Sequence, residues 1–261
     1  IGIIKGDDIY HNLENLSKLG ETFDNLDTKE SFTNINENVY SANAYIDSFS
    51  IANALELGAD IVLAGRVSDP GLALGPAIFE FGWKSTDFDL LAAGTLAGHI
   101  IECGAQCTGG NYSRWSDIKS LESIGYPIIE MSPNGEFIVT KHTGTGGVVN
   151  KYTVSEQILY EMGDPNFYIS PDVCVDFTKF KIEDLGNDRV KLSNIKGIKP
   201  TSTYKVSISY FAGYKASGQL TICGPEAYEK AKLVANIIWK RLENSGYVYN
   251  NKSTEFLGLS S

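Results

Sequence analysis

Three residues in one stretch carry side chains that could act together: His99, Glu102 and Cys103. On a helix they fall at i, i+3 and i+4 and project from one face. An imidazole, a carboxylate and a thiol so placed suit ligation of a divalent metal, or an acid, a base and a nucleophile at one centre. The plain alternative is a packed strand–helix junction with a structural histidine and a buried cysteine, and the spacing alone does not separate the two.

The surrounding run from Gly94 to Gly110 is dense in glycine. Bare backbone N–H groups at a helix N-terminus can approach a phosphate or carboxylate closely, a role open to Gly94, Thr95 and Gly98 and again to Gly144, Gly146 and Gly147. Neither run is a P-loop or a G-x-G-x-x-G fingerprint, so nucleotide and NAD readings gain nothing, and turn geometry would account for many of these glycines. Arg66 follows an apolar run at the ligand-facing end expected of a strand, where its guanidinium could grip a carboxylate or phosphate; an ion pair with Asp69 explains it equally well. Lys5, Asp7 and Asp8 end the first strand, where acidic groups suit metal or proton transfer, although capping accounts for Asp8. Lys141 and His142 could supply a charge or a proton, against the plainer reading of a solvated loop. Trp83, Trp115 and Trp239 are scattered and read as packing residues.

Periodicity and punctuation indicate the elements that would position these groups. Ile1–Ile4 reads as a short buried strand, and Asp8 can cap a helix over residues 9–19. Residues 20–43 are polar and aperiodic, which predicts a surface insertion with mobile parts. A helical apolar face from Phe49 to Leu57 stops at Gly58, a natural left-handed C′ residue. Ile61–Ala64 reads as a buried strand, then Asp69-Pro70 as N-cap and N1 of another helix. The unit repeats at Leu90–Ala93, where Gly94 ends a strand and Thr95 caps a short helix to Cys103. Residues 137–140 form a further strand, and Thr153 with Glu156 a capping box for a helix to Met162. Beyond Val173 the pattern turns to alternating strands at 204–210 and 219–223. A closing helix over 225–242 carries the stripe Ala227, Ala231, Val234, Ala235 and Ile238.

This alternation predicts an α/β fold with a largely parallel sheet and flanking helices, and a smaller C-terminal α+β region. The expected domains are 1–165 and 166–261. In such sheets ligands sit beyond the carboxyl ends of the strands.

With 43% hydrophobic and 21% charged residues the chain is of ordinary globular composition, which excludes fibrous and wholly disordered classes. A net charge of −10 without a Lys/Arg stripe disfavours nucleic acid and anionic membranes as partners. No apolar run nears the ~20 residues that span a bilayer, and the start lacks a signal peptide's charged n-region, so a cytoplasmic address is expected. Cys103, Cys107, Cys174 and Cys223 are too few and scattered for a disulfide framework and read as reduced thiols. Asn111-Tyr112-Ser113 and Asn251-Lys252-Ser253 then mean only polar loops. Ile1 is not a methionine, and the start reads as that of a truncated or processed polypeptide.

Together the motifs resemble the acyclic terpene utilisation (AtuA) family. The residues behind the likeness are Gly6-Asp7-Asp8, Ala42-Asn43-Ala44-Tyr45, Gly58–Val62, Gly65–Pro70, Gly94–Gly110, Gly144–Gly147, Pro171-Asp172-Val173 and Gly186–Val190, over residues 1–242. The resemblance implies a catabolic protein of acyl-CoA chemistry in the degradation of acyclic terpenoids such as citronellol and geraniol. The reaction it implies is carbon–carbon cleavage of a branched 3-hydroxyglutaryl-type CoA thioester, with CoA as part of the substrate. A homo-oligomer is expected, and the resemblance also implies a further ~100 residues, about one domain's worth, before Ile1. The family pattern has an aliphatic residue at Cys107 and a proline near His142, which sets these two apart from a shared mechanism.

In a lyase, Arg66 or a metal held by His99, Glu102 and Cys103 would polarise the substrate carbonyl, while Glu102 or His99 removes the 3-hydroxyl proton. The alternatives are a non-catalytic subunit whose glycine clusters hold a CoA-like or acidic ligand, and a hydratase or hydrolase using the same residues.

Overall fold

The computed structural model of the chain describes residues 1–258. It divides into two compact units, Ile1–Phe211 and Ala212–Ser261. In chain order the first unit holds β1 (Gly2–Ile4), α1 (Leu13–Lys18), β2 (Val39–Ala44), α2 (Phe49–Glu56), β3 (Val62–Ala64), α3 (Gly71–Phe81) and α4 (Phe88–Ile101). There follow β4 (Pro127–Met131), β5 (Phe137–Lys141), α5 (Lys151–Leu159), β6 (Tyr168–Ile169), β7 (Cys174–Asp176), β8 (Lys181–Gly186), β9 (Arg189–Ser193), β10 (Lys196–Ile198) and β11 (Val206–Tyr210). The second unit holds α6 (Ala227–Asn244).

Helices and strands are mixed as expected, but the largely parallel sheet is not found. The sheets are small and mostly antiparallel: β4-β5-β9-β8, β10-β7-β6 and β11-β2, with β1-β3 as the parallel pair. The reason lies in the run Leu90–Ala93. A short, fully apolar run carries no period of its own and fits a buried helix as well as a buried strand. Here it lies inside α4, whose residues 91–100 are all buried, so the helix is apolar on every side and forms the centre of the core. Around it pack Leu74 and Trp83, Phe137 and Val139, Val154 and Ile158, and Val173, Val190 and Leu192.

Local signals place several boundaries. Gly58 takes φ +85° just past α2, as its C′ role requires. Asn187 and Asp188 both adopt left-handed backbone between β8 and β9, the geometry of a two-residue type I′ turn. Helix α5 starts three residues before its expected cap: Asn150 is the N-cap and Thr153 its reciprocal partner at N3, while the Glu156 carboxylate accepts from Ser113 N and Oγ instead.

The polar stretch 20–43 is largely exposed, but Phe32 and Val39 are buried in a small cluster with Leu13 and Ala42. Its end forms strand β2. Strand β11 falls within the expected 204–210, whereas residues 219–223 form no strand. In the second unit α6 has no buried residue, and Trp239 and Tyr228 meet Tyr249 and Phe256 of the following segment. Among the described residues no helix is long and apolar enough to cross a membrane.

Candidate functional site

His99 sits on the last turn of α4, and Glu102 is its C-cap. His99 is 1% exposed, with its ring against Tyr168 and Phe177 at centroid distances of 5.6 and 5.8 Å. Its Nε2 lies 3.2 Å from the carbonyl oxygen of Ile158 on α5. A carbonyl only accepts, so Nε2 carries the proton of that bond. Nδ1 then faces Glu102 Oε1 at 3.2 Å, within ion-pair range but without the alignment of a hydrogen bond. The Glu102 side chain is 17% exposed, although the residue's backbone at the helix end is open to solvent.

The loop carrying Arg66 crosses α4 one residue before His99. A Cβ at Gly98 would lie 2.6 Å from Pro70 Cα and closer still to Pro70 O, so only glycine lets the two backbones meet. Arg66 is fixed on several sides. Its backbone N–H donates to Asp7 Oδ2 (2.7 Å), its Nε to Val67 O (3.1 Å) and its Nη2 to Asp69, and the guanidinium stacks over Tyr45 at 4.7 Å. Arg66 thus makes the ion pair with Asp69 that its spacing allowed. Asp7 also accepts from Asn43 Nδ2 (2.9 Å) and lies where a Gly65 Cβ would be; the Arg66 N–H, foremost among its donors, holds its carboxyl below the usual range. Asp7 is thus a clasp joining the ends of β1, β2 and β3, and Asp8 caps the turn at Tyr10 (3.0 Å).

Tyr168 connects these elements. Burial first, then the carboxylates of Glu102, Asp69 and Glu161, push its phenol well above the ordinary range, so it stays protonated. Tyr160, hydrogen-bonded to Glu161, is also raised, with Glu161 the main cause and Cys103 and Glu102 further contributors. The end of α4, the Arg66–Pro70 loop and the 160–168 segment thus converge on one region. Cys103 stands at its edge, half-buried at the start of the turn Gly104–Thr108. Cys107 is sealed in the core, and burial pushes its thiol up to about 12, which makes it inert.

Two parts of the expected site are placed differently. Gly94, Thr95 and Gly98 lie inside α4 and not at a helix start, so their N–H groups belong to the helix ladder; Gly94 instead admits Leu74 at close range. The N–H groups of Gly146 and Gly147 donate to Ser123 O (2.9 Å) and Lys119 O (3.0 Å), and both glycines press on neighbouring backbone. Gly144, at φ +82°, is an open turn residue. Lys141 is buried, donating to Thr145 O (2.9 Å) and pairing with Asp188 (3.2 Å), and so fastens this loop rather than facing solvent.

A metal does not fit the triplet. His99 has its Nε2 committed to Ile158 O, and among the described residues no group of three or more His, Cys, Asp or Glu gathers to hold an ion.

Tyr168, Tyr160 and Glu161 were not among the expected site residues. Only their closeness in sequence to Pro171-Asp172-Val173 could have drawn attention to them. Comparison with curated proteins and with solved structures gives no match. A family model described as acyclic terpene utilisation family protein AtuA matches residues 1–261, and the chain therefore belongs to the AtuA family.

Proposed function

We propose that this chain is a carbon–carbon lyase of acyl-CoA catabolism, cleaving a branched 3-hydroxyglutaryl-type CoA thioester, with Glu102 as its acid–base group. Family membership ties it to acyclic terpene utilisation. The observation that carries the reading is the buried His99 imidazole behind a partly exposed Glu102 carboxylate, beside a phenol that stays protonated.

In this scheme the Glu102 carboxylate takes the proton of the substrate's 3-hydroxyl. The oxygen forms a carbonyl as the bond between C2 and C3 breaks, and the electron pair passes into the thioester as an enolate. Tyr168 donates a hydrogen bond to the enolate oxygen, and Glu102 returns the proton to C2, releasing an oxo acid and a shorter thioester. His99 acts through Glu102, holding the proton in the interval. Arg66 would have to exchange Asp69 for the substrate's free carboxylate, since Asp69, Glu102 and Glu161 otherwise make the region acidic. The hydratase and hydrolase readings would use the same pair, whereas a non-catalytic subunit with a glycine cradle has less support, because the Gly146 and Gly147 N–H groups are already engaged.

The test is to incubate the purified protein with such thioesters and follow products by mass spectrometry. Matched oxo acid and shortened thioester, formed by the parent and lost in Glu102→Gln, is the expected result. No turnover of any 3-hydroxyacyl thioester would overturn the reading.

A further inference from the structure

Beside the Glu102 region, between α5 and the turns after α4, lies a pocket of about 230 Å³ lined by Gln106, Asn111, Tyr112, Glu156, Gln157 and Tyr160. Tyr160 belongs to both places, since its phenol feels Cys103 and Glu102. Among the described residues no lysine, arginine or histidine lines the pocket, and the one carboxylate that does, Glu156, is engaged by Ser113 N and Oγ. A carboxylate or phosphate would find no counter-ion there.

Three side-chain amides are among its lining residues. Gln157, 1% exposed, donates Nε2 to His99 O (3.0 Å), and its Oε1 is a buried acceptor without a partner among the described residues. Gln106 and Asn111 make no side-chain hydrogen bond among the described residues, so each keeps free N–H donors. One spare acceptor and spare donors between tyrosine walls complement a group that offers one N–H and one C=O on an aliphatic chain. We infer that this pocket binds a neutral secondary amide carried on an aliphatic chain, the chemistry of a pantetheine arm. This rests on the acyl-CoA reading of the neighbouring Glu102 region and assigns the pocket to the arm rather than to the acid end of the substrate.

Pantetheine itself is the probe, titrated into the full chain and followed by saturation-transfer NMR and calorimetry, with hexanoate as the anionic comparison. Leu159, exposed at the rim, and Asn111, also exposed, can be changed without touching the core. Saturable pantetheine binding is expected, with hexanoate silent. Leu159→Trp should weaken it at least tenfold and Asn111→Ala severalfold, with unchanged thermal midpoints. Absence of saturable binding, or equal affinity in Leu159→Trp, would overturn the inference. Pantetheine binding without thioester turnover would sink the lyase reading alone. Turnover with a KM unmoved by Leu159→Trp would sink the pocket alone.

Discussion

Replacing the Glu102 carboxylate by an amide keeps its shape and removes its basicity. Glu102→Gln is therefore expected to lower kcat by about 10²–10⁴-fold with little change in KM, read from steady-state kinetics, while the thermal midpoint stays put. A different carboxylate, Asp172, sets a stability signal. It is buried and accepts from Ser48 N (2.9 Å) and Oγ (2.7 Å) at the start of α2, and burial raises its pKa from 3.8 to about 6 despite those bonds. Between these two values the folded protein keeps a proton that the unfolded chain has released. This group's contribution therefore falls by about 3 kcal/mol as pH rises from 4 to 6 and is level above that. Asp7, Asp89 and Asp176, whose carboxyls are lowered, pull the other way. Subtracting Asp172→Asn from the parent isolates the effect: from pH 4.5 to 6.5 the urea midpoint of the parent should rise less, or fall more, than that of the variant, and identical slopes would contradict the assignment.

At the scale of elements, α4 depends on two glycines that differ in what they touch. A methyl at Gly94 would meet Leu74 Cδ1 at 2.5 Å, the tip of a flexible side chain, whereas one at Gly98 would meet Pro70 backbone, which cannot swing aside. Alanine adds about 1 kcal/mol of helix propensity at either position. Gly94→Ala should therefore leave the melting temperature nearly unchanged, and Gly98→Ala should cost a net of about 1–3 kcal/mol, read by thermal denaturation. The sequence signals that worked here were punctuated ones: Gly58 closing α2, the strand at Val62–Ala64, and the closing helix. Those that failed lacked periodicity, as in Leu90–Ala93, or depended on partners far along the chain. Strands β6 and β7 and the fold-back of Tyr168 onto His99 are of the second kind. His99 and Glu102 do share a face of one helix as their spacing required, but which groups surround them was decided by the 160–168 segment, whose sequence carries no motif for it.

At the scale of the molecule, α3, α5 and strands β4, β7 and β10 pack on α4, so the Glu102 region is assembled from segments up to about a hundred residues apart. The parallel pair β1–β3 is the exception to this enclosure. Gly2 turns toward Ala54 on α2 and Ala59 just beyond it, while the opposite face presents Ile1, Ile3, Ile61 and Leu63, with Ile3 66% exposed and paired beside Leu63. Parallel strands are ordinarily covered on both faces, and a contiguous aliphatic patch of this kind is adhesive. A protein of residues 1–261 alone should therefore light up a fluorescent dye such as anilinonaphthalene sulfonate before any heating. A dye-based melt would start from a bright baseline that Ile3→Lys with Leu63→Lys darkens, and anyone ranking ligands by such melts would be reading this bare patch along with the unfolding.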